Sequence, residues 1–205
     1  MRTCLYGRVW LTSVLSAIAV ALELGIPLER ILEVIAAFEP FPARMSVLQR
    51  DGITFMRDDS KAPTWSLDVL FEFVAEARAL RKILVLGTLS DYAGNATRAY
   101  VRAARQALAV ADRVVFIGPH AFHARRVDTE GRPERLRMFA TVREAAEHFE
   151  ETLRSGDLVV LKGSNTADHL GRIALLGTTD VRCWRTDCHR MNLCDECELL
   201  SVPER

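Results

Sequence analysis

Apolar positions along the chain recur with two different periods. Between Leu11 and Phe38 the spacing is helical, in two blocks separated by Leu24-Gly25-Ile26-Pro27, a helix stop followed by a fresh start. The first block is strongly apolar; the second, Leu28 to Phe38, places Ile31, Leu32, Ile35 and Phe38 on one face. Glu39-Pro40-Phe41-Pro42 then breaks the pattern and marks a boundary. Beyond it, Ser46 to Arg50 and Ile53 to Arg57 flank Asp51-Gly52, a hairpin signal.

From there helices and strands alternate. Thr64 to Leu80 reads as a helix with an apolar stripe of Leu67, Leu70, Phe71 and Val74, and Ala96 to Ala111 and Thr141 to Leu153 read as two more. Thr141 and Glu144 stand in the spacing of a capping box. Between the helices lie short unbroken apolar runs, Lys82 to Leu86, Arg113 to Ile117 and Leu158 to Leu161, each followed within two residues by glycine. Continuous apolar strands alternating with amphipathic helices predict a parallel sheet covered on both faces. The fold class is α/β: a Rossmann-like, mostly parallel sheet preceded by a short helical segment. The expected organisation is a helical segment over 1–40, the α/β domain over 41–177 and a cysteine-rich tail over 178–205.

The apolar stretch Val9 to Leu24 follows Arg2 and Arg8, and Ala19-Val20-Ala21 imitates a cleavage site. Thr12, Ser13 and Ser16 interrupt it and Glu23 ends it short of a membrane span, so it reads as a core helix of a cytoplasmic protein. The 27 basic and 27 acidic side chains cancel, which removes any bulk attraction to nucleic acid or an anionic membrane. Only Lys61, Lys82 and Lys162 among the basic residues are lysines. Lysine is a compact point charge where arginine is a planar fork, so each of the three is either a chosen charge or a survivor of compositional bias.

Ligands of open α/β sheets sit beyond the carboxyl ends of the strands. That rule points to Gly87 to Asp91, Gly118 to His120 and Lys162 to Asn165, where glycine serves either the turn or close approach of a ligand. Three strings stand at such places. Phe41-Pro42-Ala43-Arg44-Met45-Ser46 opens the α/β domain, and Asp58-Asp59-Ser60-Lys61-Ala62-Pro63 joins a strand to a helix. Gly156 to Ser164 (GDLVVLKGS) delivers a lysine and a small polar turn at a strand end.

In this order and spacing the strings resemble the Mur ligase family. The D-S-K-A string is similar to one in the D-glutamate-adding member; G-D-L-V-V-L-K-G-S and Leu84 to Gly87 are similar to segments of the D-alanyl-D-alanine-adding member. Gly7 and the alanine-rich helix ending at Leu24-Gly25-Ile26 resemble the end of the family's central ATPase domain, so the likeness runs from about Tyr6 to Leu176. The resemblance implies the amino-substrate-binding part of an ADP-forming carboxylate–amine ligase of peptidoglycan precursor synthesis. In that chemistry a carboxylate attacks the γ-phosphate of ATP, carried with Mg, and the incoming amine displaces phosphate from the acyl phosphate. Arg44, Asp59 and Lys61 would then meet the nucleotide, Arg44 at the phosphates and Asp59 near the ribose. Lys61, Lys162 and Ser164 would bind the carboxylate of an amino acid or peptide substrate. Asp58 and Asp59 read equally as caps of the following helix, and Lys162 as the plain end of a strand.

The departures matter as much. There is no G-x-x-G-K-[ST] phosphate loop, so the resemblance implies a domain that needs its ATPase half from elsewhere, either a longer chain or a protein partner. Where the family has G-x-H-N-x-x-N, this chain has Gly7-Arg8-Val9-Trp10-Leu11-Thr12-Ser13, with Trp10 and Ser13 replacing the asparagines that would contact adenine.

The tail lies outside the resemblance. Cys183 and Cys188 are separated by four residues, Cys194 and Cys197 by two, and the tight cluster predicts a structural zinc site on these four; free thiols or a redox pair are the competing reading. Of the histidines, His120 follows the Gly118-Pro119 strand end and His169, after Ser164, could reach the same cleft, but each reads first as structural or solvent-facing. Two other function classes compete with the ligase domain. One is a non-catalytic binding or scaffold module of the same fold, with the zinc tail as its contact surface. The other, a nucleic-acid-binding protein, is opposed by the balanced charge.

Overall fold

The computed structural model describes residues 2–186 and 188–203. Two helices, α1 (Leu11–Glu23) and α2 (Leu28–Ala37), precede a six-stranded sheet of β1 (Ser46–Arg50), β2 (Ile53–Asp58), β3 (Arg81–Leu86), β4 (Arg113–Ile117), β5 (Leu136–Phe139) and β6 (Asp157–Lys162). The spatial order is β1-β2-β6-β3-β4-β5, and only β1 runs antiparallel. The crossover helices are α3 (Leu67–Glu76), α4 (Ala96–Val110) and α5 (Val142–Thr152), and a short fully buried helix α6 (Gly171–Leu175) follows β6.

Each crossover has a local cause. Asp51 and Gly52 both adopt positive φ, 51° and 75°, the conformation a two-residue hairpin turn requires, and this fixes the β1–β2 register. The capping box on α5 is complete: Thr141 Oγ1 accepts from Glu144 N at 3.2 Å, and Glu144 Oε2 accepts from Thr141 N at 3.3 Å. Asn95 caps α4 by accepting from Thr97 N at 2.7 Å. Lys82, the second of the three lysines, donates to the carbonyl of Val74 at 3.0 Å at the end of α3, where the helix dipole favours a cation.

The core has two halves, one on each face of the sheet. Met56, Leu84, Leu86, Val114, Phe116 and Val160 face α3 and α4. Phe55, Ile83, Val85, Val115, Val159 and Leu161 face α5 and α6. Each buried side chain of this size contributes about 1.5–3 kcal/mol against leaving it in water, and the alternation down β2, β3 and β6 decides which face receives which residue.

Three expectations need correction. The helix expected from Thr64 is a 3-10 turn over Thr64–Ser66 followed by α3, and α3 ends at Glu76 because Ala77 turns extended to carry the chain back to β3. The edge strand β5 and helix α6 carried no periodic signal, β5 because Arg137 and Met138 of its four residues are exposed. And α1 is not a core helix: it packs against α2 and the turn before it, and none of its residues is buried. Leu15, Val20 and Leu24 are more than half exposed. No helix among the described residues is long and apolar enough to cross a membrane.

Candidate functional site

A cavity of about 650 Å³ opens at the carboxyl ends of β2 and β6, in the size range of small-molecule sites. Its floor is Asp58 at the end of β2 and Lys162 at the end of β6, partners in the parallel register. Lys162 Nζ donates to Asp58 Oδ2 at 2.7 Å, and Lys162 is only 3% exposed. Burial pushes the Asp58 carboxyl up from its ordinary value, opposed by Lys162 and, further out, by Arg44. A buried ion pair of this kind gains from its own Coulomb attraction but leaves lone pairs and protons to be satisfied, which a ligand can do.

Arg44 reaches the cavity from the loop before β1. Its neighbours Ala43 and Met45 are both buried and both hold positive φ, 59° and 52°, a conformation that costs non-glycine residues energy and persists only where the surroundings impose it. Hydrogen bonds from Ala43 N to Ser46 Oγ (3.0 Å) and from Arg44 N to the Phe41 carbonyl (3.0 Å) lock the turn. The two flanking side chains go inward and leave the guanidinium outside, over the cavity.

The walls are apolar. Trp10 and Ser13 form one side, Trp65 and Phe73 another, and Met191 and Leu193 of the tail a third. The indole Nε1 of Trp10 is buried without a hydrogen-bond acceptor. Asn165 joins the tail to the strand ends by donating to the Met191 carbonyl at 2.8 Å.

The structure therefore brings together Trp10, Ser13, Arg44, Asp58, Lys162 and Asn165 of the residues named in the sequence, and adds Met191. Asp59 is not in the cavity. It follows Asp58 with opposite parity and points to the other face, where Arg57 Nε and Nη2 donate to it at 3.3 and 3.4 Å. Arg57 also pairs with Asp195 of the tail. Burial alone would lower the Arg57 pKa, but Asp59 and Asp195 raise it above the ordinary value, while burial pushes the Asp59 carboxyl up against the pull of Arg57. Lys61 is exposed, one residue beyond the wall residue Ser60. Ser164 is also outside the cavity wall: its backbone N–H is bonded to Asp168 at 2.8 Å and its hydroxyl lies 3.2 Å from that of Thr166.

Asp168, which no motif marked, ties two strand ends together. It accepts from Thr88 N (2.7 Å) and Thr88 Oγ1 (2.6 Å) after β3 and from Ser164 N after β6. The strand-end glycine Gly87 makes room for this carboxylate, since a Cβ there would lie 2.2 Å from Asp168 Oδ2. A ligand is not what that glycine accommodates.

The cysteines and His169 lie on the other side of the tail, around a cavity of about 10 Å³ with Arg172. His169 Nε2 is 3.5 Å from Cys188 Sγ and its Nδ1 is 3.7 Å from Cys194 Sγ, so it does not reach the cleft at Ser164. Among the described residues no three histidine, cysteine, aspartate or glutamate side chains already share one centre for a metal ion.

Comparison with known proteins bears on the family and the fold. Residues 43–165 match the family described as Mur ligase, glutamate ligase domain. The UDP-N-acetylmuramoyl-tripeptide–D-alanyl-D-alanine ligase of Treponema pallidum is 31% identical over 157 residues, which cover 74% of this chain and 33% of that protein. The chain thus spans about a third of the length of the curated relative it matches. Among solved structures, the MurF ligase from Thermotoga maritima in complex with ADP superposes with a TM-score of 0.64 at 17% identity, over 78% of this chain and 36% of that one. The UDP-N-acetylmuramoylalanyl-D-glutamyl-2,6-diaminopimelate–D-alanyl-D-alanyl ligase from Acinetobacter baumannii gives 0.62 at 22% identity, over 74% and 32%. At these identities the two structures bear on the fold alone.

Proposed function

Because the chain belongs to the Mur ligase family, matching its glutamate ligase domain, we propose that it is the amino-substrate-binding part of an ADP-forming ligase that adds a D-alanyl-D-alanine-like dipeptide to a peptidoglycan precursor. The observation that carries this reading is the Asp58–Lys162 pair on the floor of an apolar cavity overhung by Arg44. A zwitterionic amino substrate needs an anion for its ammonium and a cation for its carboxylate. Asp58 holds the ammonium, and Lys162 and Arg44 hold the carboxylate or the oxygens of the transferring phosphate, where fixed cations stabilise developing negative charge. The apolar walls accept small side chains such as methyl groups. Lys61, exposed beside the cavity wall, supplies charge toward phosphates. Asp59, held by Arg57, has no place in this account.

ATP supplies the phosphoryl group that activates the carboxylate. Its adenine fits the side of the cavity formed by Trp10 and Ser13, where the indole Nε1 lacks an acceptor. Mg, carried with ATP, falls to the ATPase portion carried elsewhere in a longer chain or by a partner. The apolar residues exposed on α1 are the surface on which that portion packs. A ligase that consumes ATP and soluble precursors works in the cytoplasm.

Mapping amide chemical shifts of the chain with ADP and with D-alanyl-D-alanine tests this. Shifts around Arg44, Asp58, Lys162 and Asn165 are expected, with the dipeptide response lost in Lys162→Met. If neither ligand at millimolar concentration perturbs these residues, the reading fails and a non-catalytic module of the same fold takes its place.

A further inference from the structure

We propose that Cys183, Cys188, Cys194 and Cys197 bind one structural zinc ion that staples the C-terminal tail to α6, with Arg172 holding the excess negative charge of the thiolates. The proposal stands on the residues of the tail and holds whether or not the chain works as a ligase domain.

The first observation is convergence. Four of the five cysteines, drawn from both ends of the tail, line a single cavity of about 10 Å³, while Cys4 is exposed elsewhere. That is about the smallest space that takes one water molecule, and so suits a bare ion. Cys194–Glu196 forms a 3-10 turn closed by Cys197 N donating to the Cys194 carbonyl at 3.1 Å, and a turn of this kind sets both sulfurs of a C-x-x-C pair on one side. The two ends of the tail are joined beside it, with Arg182 N and Cys183 N both donating to the Leu200 carbonyl at 2.8 and 2.9 Å.

The second observation is an uncompensated cation. Arg172 is 2% exposed and among the largest fully buried side chains of the protein. Its Nε donates to Cys194 Sγ at 3.4 Å and its Nη1 to the Arg185 carbonyl at 2.8 Å. No carboxylate among the described residues pairs with it. A guanidinium is taken out of water only against an anion. Four thiolates around Zn²⁺ carry a net charge of minus two, and Arg172, Arg185 and Arg190 line the same cavity. Two neutral disulfides would leave Arg172 facing no anion. Soft thiolate donors select zinc over the hard cations.

The third observation is that the tail, joined to the domain by polar contacts of Asp195, Met191 and Arg185, has very little apolar core. Its own apolar cluster is Leu175, Cys194 and Leu200, with Leu48 and Val181 at the edge. Small units with so little core depend on a metal or disulfides. Binding closes the cage by side-chain rotation, because the donors face one cavity without yet sharing a centre. The ring nitrogens of His169 lie 3.5 and 3.7 Å from the Cys188 and Cys194 sulfurs, and whichever carries the proton faces a thiolate once the metal is bound.

The test is metal analysis of the full chain purified without chelator, followed by Co²⁺ titration after zinc removal. About one zinc per chain is expected, with thiolate-to-Co²⁺ charge transfer and tetrahedral ligand-field bands. Cys4→Ser should keep both signals and Cys197→Ser should lose both. Arg172→Met should weaken zinc binding roughly tenfold or more, as loss of an outer partner does. The proposal is overturned if the folded native chain takes up neither zinc nor Co²⁺, or if its tail cysteines are recovered as disulfides with no metal. Should Cys197→Ser fail to fold, the Co²⁺ spectrum of the native chain decides alone.

Discussion

Replacing Arg57 with methionine removes a buried cation shared by two carboxylates. Arg57 is 3% exposed and stands between Asp59, also 3% exposed, and Asp195. Methionine keeps the length and the apolar stem but leaves Asp59 with no cation. Stranding one partner of a buried ion pair costs about 3–5 kcal/mol. For a protein of this size each kcal/mol lowers Tm by roughly 2–4 °C, so a drop of roughly 6–20 °C is expected. The Asp195 side chain is 29% exposed, and Asp195→Asn should cost only about 1 kcal/mol. Thermal and urea unfolding at pH 7, followed by circular dichroism, measure both. The pH dependence gives a second reading. Without Arg57, the folded-state pKa of Asp59 lies further above its unfolded value, so the folded form binds the extra proton. The variant's stability is then favoured at low pH and lost as pH rises through that folded value, and its deficit against the parent should be larger at pH 7 than at pH 4. Arg57→Met/Asp59→Asn should recover part of the loss. A deficit under about 1 kcal/mol at pH 7, or one that does not change with pH, would refute the claim that Arg57 is the counter-ion Asp59 needs.

Three further outcomes are expected. Gly87→Ala places a Cβ 2.2 Å from Asp168 Oδ2 and should cost about 1–3 kcal/mol by overpacking, read as a fall in the urea midpoint. Thr141→Ala removes one half of the α5 capping box and should cost about 1 kcal/mol in the same assay. Burial raises the folded-state pKa of Asp168, so its ionisation costs stability as pH rises from the unfolded value through the raised one. Asp168→Asn should therefore flatten the fall of stability as pH rises above the ordinary carboxylate range, while weakening the bonds to Thr88 and Ser164. Urea titrations over that rise would expose an unchanged slope.

Much of this architecture was legible in the chain because its signals are local. Parallel strands buried on both faces must be unbroken apolar runs, and Lys82 to Leu86, Arg113 to Ile117 and Leu158 to Leu161 all fall within strands. Asp51-Gly52 and the Thr141–Glu144 box state their geometry within four residues. What sequence reading missed depends on pairing at a distance. β5 is four residues at an edge, visible only beside β4. The partition of Asp58 from Asp59 is a matter of strand parity, and a string read as one motif turns out to serve two faces. The part of Asp168 was hidden because a carboxylate that binds backbone N–H groups leaves no partner residue type to recognise. Gly87 and Lys162 were found for the right place, the strand ends, although Gly87 makes room for a side chain of the protein itself.

The parity of β2 also explains why the tail and the cavity belong to one unit. Met56 and Asp58 lie on the α3 and α4 side, so Asp58 meets Lys162 at the cavity floor. Phe55 and Arg57 lie on the α5 and α6 side, so Arg57 meets Asp195 of the tail, over Gly171, where a Cβ would lie 2.5 Å from Arg57 Nη2. The tail then crosses the strand ends, and Asn165, three residues after Lys162, bonds its Met191 carbonyl. Met191 and Leu193 thereby become cavity wall. Any loosening of the tail would remove that wall and expose Arg57 and Asp59 together, so stability and cavity shape are coupled through a single strand end. Arg57→Met should consequently disturb ligand response at Asn165 even though Arg57 does not line the cavity, whereas Gln106, bonded to Asp68 on α3 and remote from the tail, offers a surface substitution that should leave it unchanged.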